Sequence, residues 1–229
     1  MVGMDSDVVR CYFEAAANRP EWLLWGKARP QEPMGVPAEK GVATRSRILD
    51  AAVRLASRDG LEGLTIGTLA EALAMSKSGL FAHFGSKDAL QVATLEHAAG
   101  LVRARAAGLA QLPPGPERLR RLLEVTLDWI DDPDLPGGCP ITGACIEFDD
   151  REGPVREALE RLQRASHLRA AEVFDSFRHP SRDRDQLAFE FRAIGLAYHH
   201  AARMLREPRA RAWARSALES LIEQASRPI

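Results

Sequence analysis

The sequence has little cysteine and no long apolar run, and each shortage excludes a class of protein. Only three of its 229 residues are cysteine, too few and odd in number for a disulfide scaffold, so we expect a reducing, cytoplasmic setting. No apolar run approaches the roughly 18 residues that a membrane-spanning helix needs. Asp5 and Asp7 near the start also argue against a secretory signal. We therefore expect a cytoplasmic protein without a membrane partner.

Strand signals and charge excess are scarce as well. Aromatic residues make up 6% of the chain, and no stretch alternates apolar with polar residues over the length of a strand. The 45% hydrophobic fraction is typical of a globular protein. Basic and acidic residues number 31 and 32, and the segment 44–90 holds 6 and 5 of them. A nucleic-acid surface must therefore be small and local.

Motifs of common enzyme classes are missing. The sequence has no G-x-S-x-G, no H-E-x-x-H, no glycine-rich phosphate loop and no paired metal-ligand spacing. We therefore expect no catalytic residue, metal or cofactor, and an all-α enzyme is kept as the alternative from a different class. Glu147, Asp149 and Asp150 fall at a predicted helix end, where we expect solvated carboxylates. His199 and His200 are adjacent and point about 100° apart on a helix, so they do not share a metal ion.

Apolar residues recur with helical spacing along most of the chain, which predicts an all-α fold. Proline and glycine divide this pattern into separate helices. In chain order the predicted helices lie at residues 42–59, 66–73, 76–83, 86–111, 119–130, 140–148, 154–177, 187–205 and 208–225. The sequence His179-Pro180-Ser181 is expected to break the chain before the last two helices.

Residues 1–40 are expected to form a partly irregular extension, because four prolines interrupt them. A short helix is predicted at residues 7–18. Several interpretations of the segment stay open. In one, the segment is a poorly ordered arm. In another, the true start of the protein lies near Met34. In the third, Trp22 and Trp25 dock on the body of the protein or on a partner.

Residues 66–84 carry the most informative pattern. Two short helices joined by a three-residue turn must cross closely, which requires a small residue, here Ala70, and apolar residues at fixed offsets. The apolar positions of such a helix-turn-helix core are Leu69, Leu73, Met75 and Leu80. Ser76 begins the second helix and leaves Lys77 and Ser78 exposed in its first turn, where a recognition helix enters a major groove. Taken alone, the pattern also fits an ordinary αα-corner.

Residues 44–90 resemble the DNA-binding domain of the TetR/AcrR family of bacterial transcriptional regulators. The matching features are Asp59-Gly60 at the end of the first helix, Thr65 before the second, Ser76-Lys77-Ser78, and His83-Phe84 followed by Ser86-Lys87-Asp88-Ala89-Leu90. The resemblance implies a helix-turn-helix domain of three helices at residues 41–90. It also implies DNA contacts from one set of residues, namely Thr65, Ser76, Lys77, Ser78, Phe81, His83 and Lys87.

Three positions depart from the family pattern. Ala74 stands in the turn where the family usually has glycine. Phe81 stands where the family usually has a tyrosine that contacts phosphate, and without a hydroxyl it cannot make that hydrogen bond. Ala82 is smaller than the side chain that many members have, and we expect no contact from it.

By the same resemblance, residues 91–229 form a larger helical domain that binds a ligand and dimerises. The implied function is a homodimeric repressor that a small-molecule effector releases from a roughly palindromic DNA operator. The alternative is a regulator whose C-terminal domain only dimerises. The candidate pocket residues are apolar or aromatic, which favours a hydrophobic or aromatic effector. The alternative is that the same residues belong to the hydrophobic core. These candidates are Trp129, Phe148, Phe174, Phe191, Tyr198 and His199.

Two further patterns concern the C-terminal half. Small residues on the penultimate helix would let a second copy approach closely across a two-fold axis. They are Gly195, Ala197, Ala201 and Ala202. Cys139 is expected at the N-cap before Pro140, where the helix dipole can lower the pKa of a thiol. A thiol sensor at Cys139 or Cys145 and a buried inert cysteine are both open at this point.

Overall fold

The computed structural model describes residues 37–177 and 183–226. The chain divides into two compact units, residues 1–41 and 42–229. The helix predicted at residues 7–18, the two tryptophans of the extension and the break predicted at residues 179–181 lie outside the described residues.

Within the described ranges all regular structure is helical, which confirms the all-α prediction. Nine α-helices are described: α1 Pro37–Asp59, α2 Ile66–Leu73, α3 Lys77–Phe84, α4 Lys87–Arg105, α5 Pro116–Ile130, α6 Pro140–Glu147, α7 Pro154–Phe174, α8 Arg184–His199 and α9 Ala210–Ser226. A 3-10 helix, Ala107–Gln111, follows α4, and a π-helix, His200–Met204, follows α8. No helix of this described part is long and apolar enough to cross a membrane.

Three predicted C-terminal helix ends differ from the structure by three residues or more. The helix predicted to reach residue 111 ends at Arg105 and continues as the tighter 3-10 helix, which is common at helix ends. The helix predicted to reach Phe177 ends at Phe174, whose carbonyl accepts a turn hydrogen bond from the Phe177 N–H at 2.9 Å. The α8 pattern continues past His199 as a π-helix.

Two large apolar clusters hold the described helices together. The first combines α1–α4 with α6 and α7, so residues of the helix-turn-helix pack directly on the C-terminal half. The second joins α5, α7, α8 and α9. A smaller cluster consists of Val53, Ala98, Trp129 and Leu135. The N-terminal helices therefore do not pack independently of the C-terminal half, since their core continues into α6 and α7.

Candidate nucleic-acid interface

Side-chain caps fix the ends of the two helices of the helix-turn-helix. Thr65 Oγ1 accepts a hydrogen bond from the Thr68 N–H at 3.0 Å, and the Thr65 N–H donates to Thr68 Oγ1 at 2.9 Å. This reciprocal pair is a capping box, which sets the start of α2. Ser76 caps α3 in a similar way, because its Oγ accepts from the Gly79 N–H at 3.1 Å.

Ala74 makes the turn between these helices in a left-handed conformation, with φ at +51°. Its N–H bonds back to the carbonyls of Ala70 and Glu71, which closes the C-terminus of α2. Glycine adopts this conformation at no steric cost, whereas alanine is strained there. The turn therefore forms without the glycine that the family usually has.

One side of α3 faces outward. We call it the recognition face, and it consists of the exposed residues Lys77, Ser78, Phe81 and Ala82. The opposite side is buried, since Leu80 is 0% and Phe84 is 7% exposed. Helical spacing explains the division, because residues three and four positions apart lie on the same side of a helix. Three predicted DNA-contact residues thus lie together on one surface.

Thr65 lies beside this face. A Cβ added at Gly67 would be 3.6 Å from Thr65 Oγ1 and 3.7 Å from Lys77 Cε, so both side chains border the same spot. The start of α2 and the first turn of α3 therefore contribute neighbouring polar groups. A helix N-terminus with hydroxyl side chains is suited to holding a phosphate.

His83 lies at the other end of α3, where Arg45 holds it. The Arg45 guanidinium donates a 2.7 Å hydrogen bond to the His83 carbonyl and lies 4.6 Å from the centroid of the Phe84 ring. The bond satisfies one of the carbonyls that a helix C-terminus leaves free. Sequence reasoning did not identify Arg45, because nothing in the local pattern indicates a partner 38 residues away.

Lys87, the last predicted contact, is paired within the protein. Its Nζ lies 2.7 Å from Glu62 Oε1, and Arg151 lies 2.7 Å from the other oxygen of Glu62. The hydrogen bond from Lys87 lowers the pKa of Glu62 against the opposing effect of burial, and Arg151 adds to the lowering. A phosphate contact from Lys87 would therefore have to share the ammonium with Glu62 or displace it.

Half of the basic groups at residues 44–90 are engaged. Arg45 bonds to a carbonyl, while Arg58 and Lys87 pair with carboxylates. Arg47, Arg54 and Lys77 have no hydrogen-bond or ion-pair partner among the residues that the structure describes. Lys77 is the one of these on the recognition face, so the positive charge there is small and local, as the net charge implies.

Glu147 of α6 connects the helix-turn-helix to the C-terminal half. Its two carboxylate oxygens accept hydrogen bonds from the backbone N–H groups of Leu61 at 3.1 Å and Glu62 at 2.8 Å. The prediction of a solvated Glu147 is therefore wrong, because the α1–α2 loop lies against its carboxylate. Asp149 and Asp150 are exposed, as predicted.

A second link joins α1 to the loop before α6. Ser57 Oγ donates to the Gly138 carbonyl at 2.8 Å and accepts from the Gly137 N–H at 3.1 Å. The two segments touch so closely that a Cβ added at Gly137 would lie 1.7 Å from the Ser57 carbonyl oxygen. Only glycine fits at position 137 without movement of one backbone relative to the other.

The six ligand candidates do not line one cavity in this structure. Phe148 belongs to the first apolar cluster and Trp129 to the small one. Phe174, Phe191 and Tyr198 pack in or against the second. His199 lies against Gly138, and its Nε2 has no hydrogen-bond partner in the structure described. Burial, together with the charges of Arg203 and His200, lowers the pKa of His199.

The cysteines differ in their surroundings. Cys139 is the N-cap residue of α6, as predicted, but its side chain makes no capping hydrogen bond. Cys145 Sγ accepts a 3.0 Å hydrogen bond from Gln163 Nε2. Burial raises the pKa of the Cys145 thiol, with a smaller opposing effect from Gln163. A raised pKa disfavours the reactive thiolate, so the surroundings of this half-buried thiol do not activate it.

The outer side of α8 and α9 carries large exposed apolar residues. Phe189 is 68%, Leu196 55% and Trp213 49% exposed. Between the two helices runs an apolar groove of about 460 Å³, floored largely by alanines. Of the small residues predicted to allow close approach, Ala197 and Ala201 line this groove. Gly195 instead faces α5, since a Cβ there would be 3.3 Å from Thr126 Cγ2.

Two family models match the chain. The model for bacterial regulatory proteins of the tetR family matches residues 48–94, which include the whole helix-turn-helix. The model for the tetracyclin repressor-like C-terminal domain matches residues 115–218. The sequence has no significant match among curated proteins.

Solved structures with the same fold include several regulators. A TetR-family transcriptional regulator from Streptomyces coelicolor is 20% identical, with a TM-score of 0.70 over 80% of this chain and 96% of that one. A TetR transcriptional regulator from Chloroflexus aurantiacus is 29% identical, with a TM-score of 0.63 over 82% and 94%. AibR, solved with isovaleryl coenzyme A and operator DNA, is 20% identical, with a TM-score of 0.62 over 78% and 98%.

Proposed function

Because the chain belongs to the TetR family of bacterial transcriptional regulators, we propose that it is a homodimeric repressor of a roughly palindromic operator. A small hydrophobic or aromatic molecule that binds the C-terminal domain releases it from the DNA. The recognition face of α3 reads base edges, and the neighbouring hydroxyl groups of Thr65 and Ser76 hold phosphates.

The observation that carries this proposal is the direct connection between the recognition helices and the C-terminal half. Glu147 is hydrogen-bonded to the α1–α2 loop, and Ser57 is hydrogen-bonded to Gly137 and Gly138. These bonds restrict movement of the N-terminal helices relative to α6 and the loop before it. A displacement of α6 or of the loop before it would therefore move α1 and the α1–α2 loop as well. Such a connection is what an effector needs if binding in one half is to misplace the recognition helix in the other.

The exposed apolar surface of α8 and α9 supports the dimer. A contiguous apolar patch of this kind normally marks an interface. Two copies related by a two-fold axis would place α8 and α9 of both protomers in a four-helix arrangement and cover Phe189, Leu196 and Trp213. Two recognition helices would then meet the DNA with the same symmetry, which requires half-sites separated by one or more helical turns.

Light scattering tests the dimer. The chain has a mass of 25.2 kDa, and we expect twice that mass at micromolar concentration. Leu196→Glu places a charge in the proposed interface and should give the monomer. Leu168→Glu, which alters an exposed leucine of α7, is the matched control and should leave the dimer intact. A monomeric wild type, or a dimer that Leu196→Glu leaves intact, contradicts the proposed interface.

Reciprocal linkage tests the effector. AibR was solved in complex with isovaleryl coenzyme A and operator DNA, so small acyl compounds belong in a first screen, together with aromatic acids. The screen measures thermal shift, because a ligand of the folded state raises the melting temperature. A compound that stabilises the protein should weaken its binding to operator DNA, and the operator should weaken binding of the compound by the same factor. A compound that binds without this reciprocity is not an effector.

A regulator whose C-terminal domain only dimerises is the second candidate. The separation of the six ligand candidates into different apolar clusters favours it. In that case the screen yields no compound that both stabilises the protein and weakens DNA binding. Operator binding and the dimer would remain, so the two candidates differ in one measurement.

A further inference from the structure

Phe81 is the largest group on the recognition face, and more than half of it is left uncovered by the residues that the structure describes. Its side chain is 57% exposed, whereas its neighbour Leu80 is 0% exposed. Neither an aromatic ring nor a cation stacks on it among the residues that the structure describes. The apolar surface of the ring stays in contact with water in the free protein, and its burial by a partner would be favourable in free energy.

The position of Phe81 places its ring where bases are read. It follows Lys77 by four residues, so it lies on the same side of α3, about 6 Å further along the helix axis. The major groove is roughly 8.5 Å deep, and the N-terminal part of a recognition helix lies in it. A ring one turn from the start of α3 is therefore within reach of base edges when Lys77 and Ser78 are.

The chemistry of the ring restricts what it can recognise. Phenylalanine has no hydrogen-bonding group, so it cannot bond to a phosphate or to the donors and acceptors of a base. The C5-methyl group of thymine is the apolar feature of a base edge in the major groove, and phenylalanine can contact it. Lys77 is the single cation on this face, so apolar contact makes up much of the surface available for reading sequence.

We propose that Phe81 of each protomer contacts the C5-methyl group of a thymine in each operator half-site, and that this contact helps to determine the operator sequence. The proposal rests on the DNA-binding function proposed above and specifies the base that the site recognises. Phe81 is then a specificity-determining residue that acts by covering a methyl group and makes no contact with phosphate.

Uracil substitution in an operator selected from random duplexes by the wild-type protein tests this contact. Uracil pairs as thymine does and lacks only the methyl group, so each thymine in one half-site is replaced in turn. We expect one position at which the wild type loses affinity by about three- to fivefold, the loss that follows from exposing one methyl-sized group. At the other thymine positions, the effect of uracil on affinity should not depend on the residue at position 81.

The variant Phe81→Ala identifies the residue. It should bind the thymine operator several-fold more weakly and should not distinguish uracil at the sensitive position. Its salt dependence should equal that of the wild type, because no phosphate contact is lost. Ser78→Ala is the matched control and should keep the uracil sensitivity. Melting curves should coincide for both variants, since both side chains are exposed.

Several results overturn the proposal. Wild-type binding that no uracil substitution weakens removes the methyl contact, and a Phe81→Ala protein with the same uracil sensitivity as the wild type assigns that contact to another residue. A shallower salt dependence for Phe81→Ala would move Phe81 to the backbone. If the wild type binds no duplex, the proposed function itself fails, and this inference fails with it.

Discussion

Glu147 Oε2 lies 2.8 Å from the backbone nitrogen of Glu62, and this hydrogen bond connects α6 to the loop that precedes the helix-turn-helix. The same Glu62 binds Lys87 at the start of α4 and Arg151 after α6 through its own carboxylate. Three segments of the chain thus meet at one loop residue. A small shift at any of them would be felt at the start of α2.

Glu147→Ala should destabilise the protein by about 1–2 kcal/mol, because it leaves the N–H groups of Leu61 and Glu62 without their charged acceptor. Urea unfolding monitored by circular dichroism measures the loss. Glu152→Ala removes a nearby exposed carboxylate that has no hydrogen bond in the described structure, and it should change stability by less than about 0.5 kcal/mol. Equal effects of the two variants would show that the Glu147 link contributes nothing.

Ala74→Gly should stabilise the protein by roughly 1 kcal/mol, since glycine relieves the strain of a left-handed alanine. Ala72→Gly is the matched control. Ala72 is an exposed residue inside α2, where glycine should instead cost about 1 kcal/mol. The same unfolding experiment thus expects opposite signs for two Ala→Gly changes two residues apart. A loss of stability for both would mean that Ala74 is not left-handed in solution.

His199 should make stability depend on pH near neutrality. Burial lowers its pKa in the folded protein below 6.5, so the unfolded chain takes up the proton first as the pH falls. The stabilising contribution of neutral His199 is therefore complete above about pH 6.5 and declines below it. In unfolding experiments at a series of pH values, His199→Gln should have a shallower loss of stability than the wild type between about pH 7.5 and 5.5. Identical slopes would contradict the lowered pKa.

Lys87 and Glu62 should have opposite effects on DNA binding if Lys87 contacts phosphate. Lys87→Ala should weaken binding to every duplex alike and make the salt dependence shallower by about one contact per protomer. Glu62→Gln should strengthen binding, because it weakens the pair that engages the Lys87 ammonium. Salt titrations by fluorescence anisotropy measure both. If neither variant changes affinity, Lys87 serves only the pair with Glu62.

Most of the architecture could be predicted from the sequence because helix signals are local. Thr65, Ser76 and Pro140 each stand at or next to a helix start, and the apolar spacing identifies the buried sides of the helices. The π-helix after His199 could not be predicted. Apolar residues that recur every three or four positions fit an α-helix equally well, and a shift to i→i+5 bonding leaves no local signal.

The polar links between distant segments could not be predicted for a different reason. Glu147 and Leu61 are 86 residues apart, and periodicity shows which side of a helix is buried without showing which polar groups meet across it. The ligand candidates were ambiguous because Trp129 and Phe174 satisfy core packing and pocket lining equally well by composition. Lys87 was predicted from the family resemblance, which does not include its partner Glu62, 25 residues away in the sequence.

The recognition face is tested most directly by titrating wild type and Lys77→Ala against the operator and a scrambled duplex at several salt concentrations. We expect the wild type to prefer the operator, and Lys77→Ala to lose about 1–3 kcal/mol per base contact on the operator with a smaller loss on the scrambled duplex. Equal losses on both duplexes would place Lys77 at the phosphate backbone. If the wild type binds no duplex from the DNA upstream of its own gene, the account of this chain as a DNA-binding regulator is contradicted.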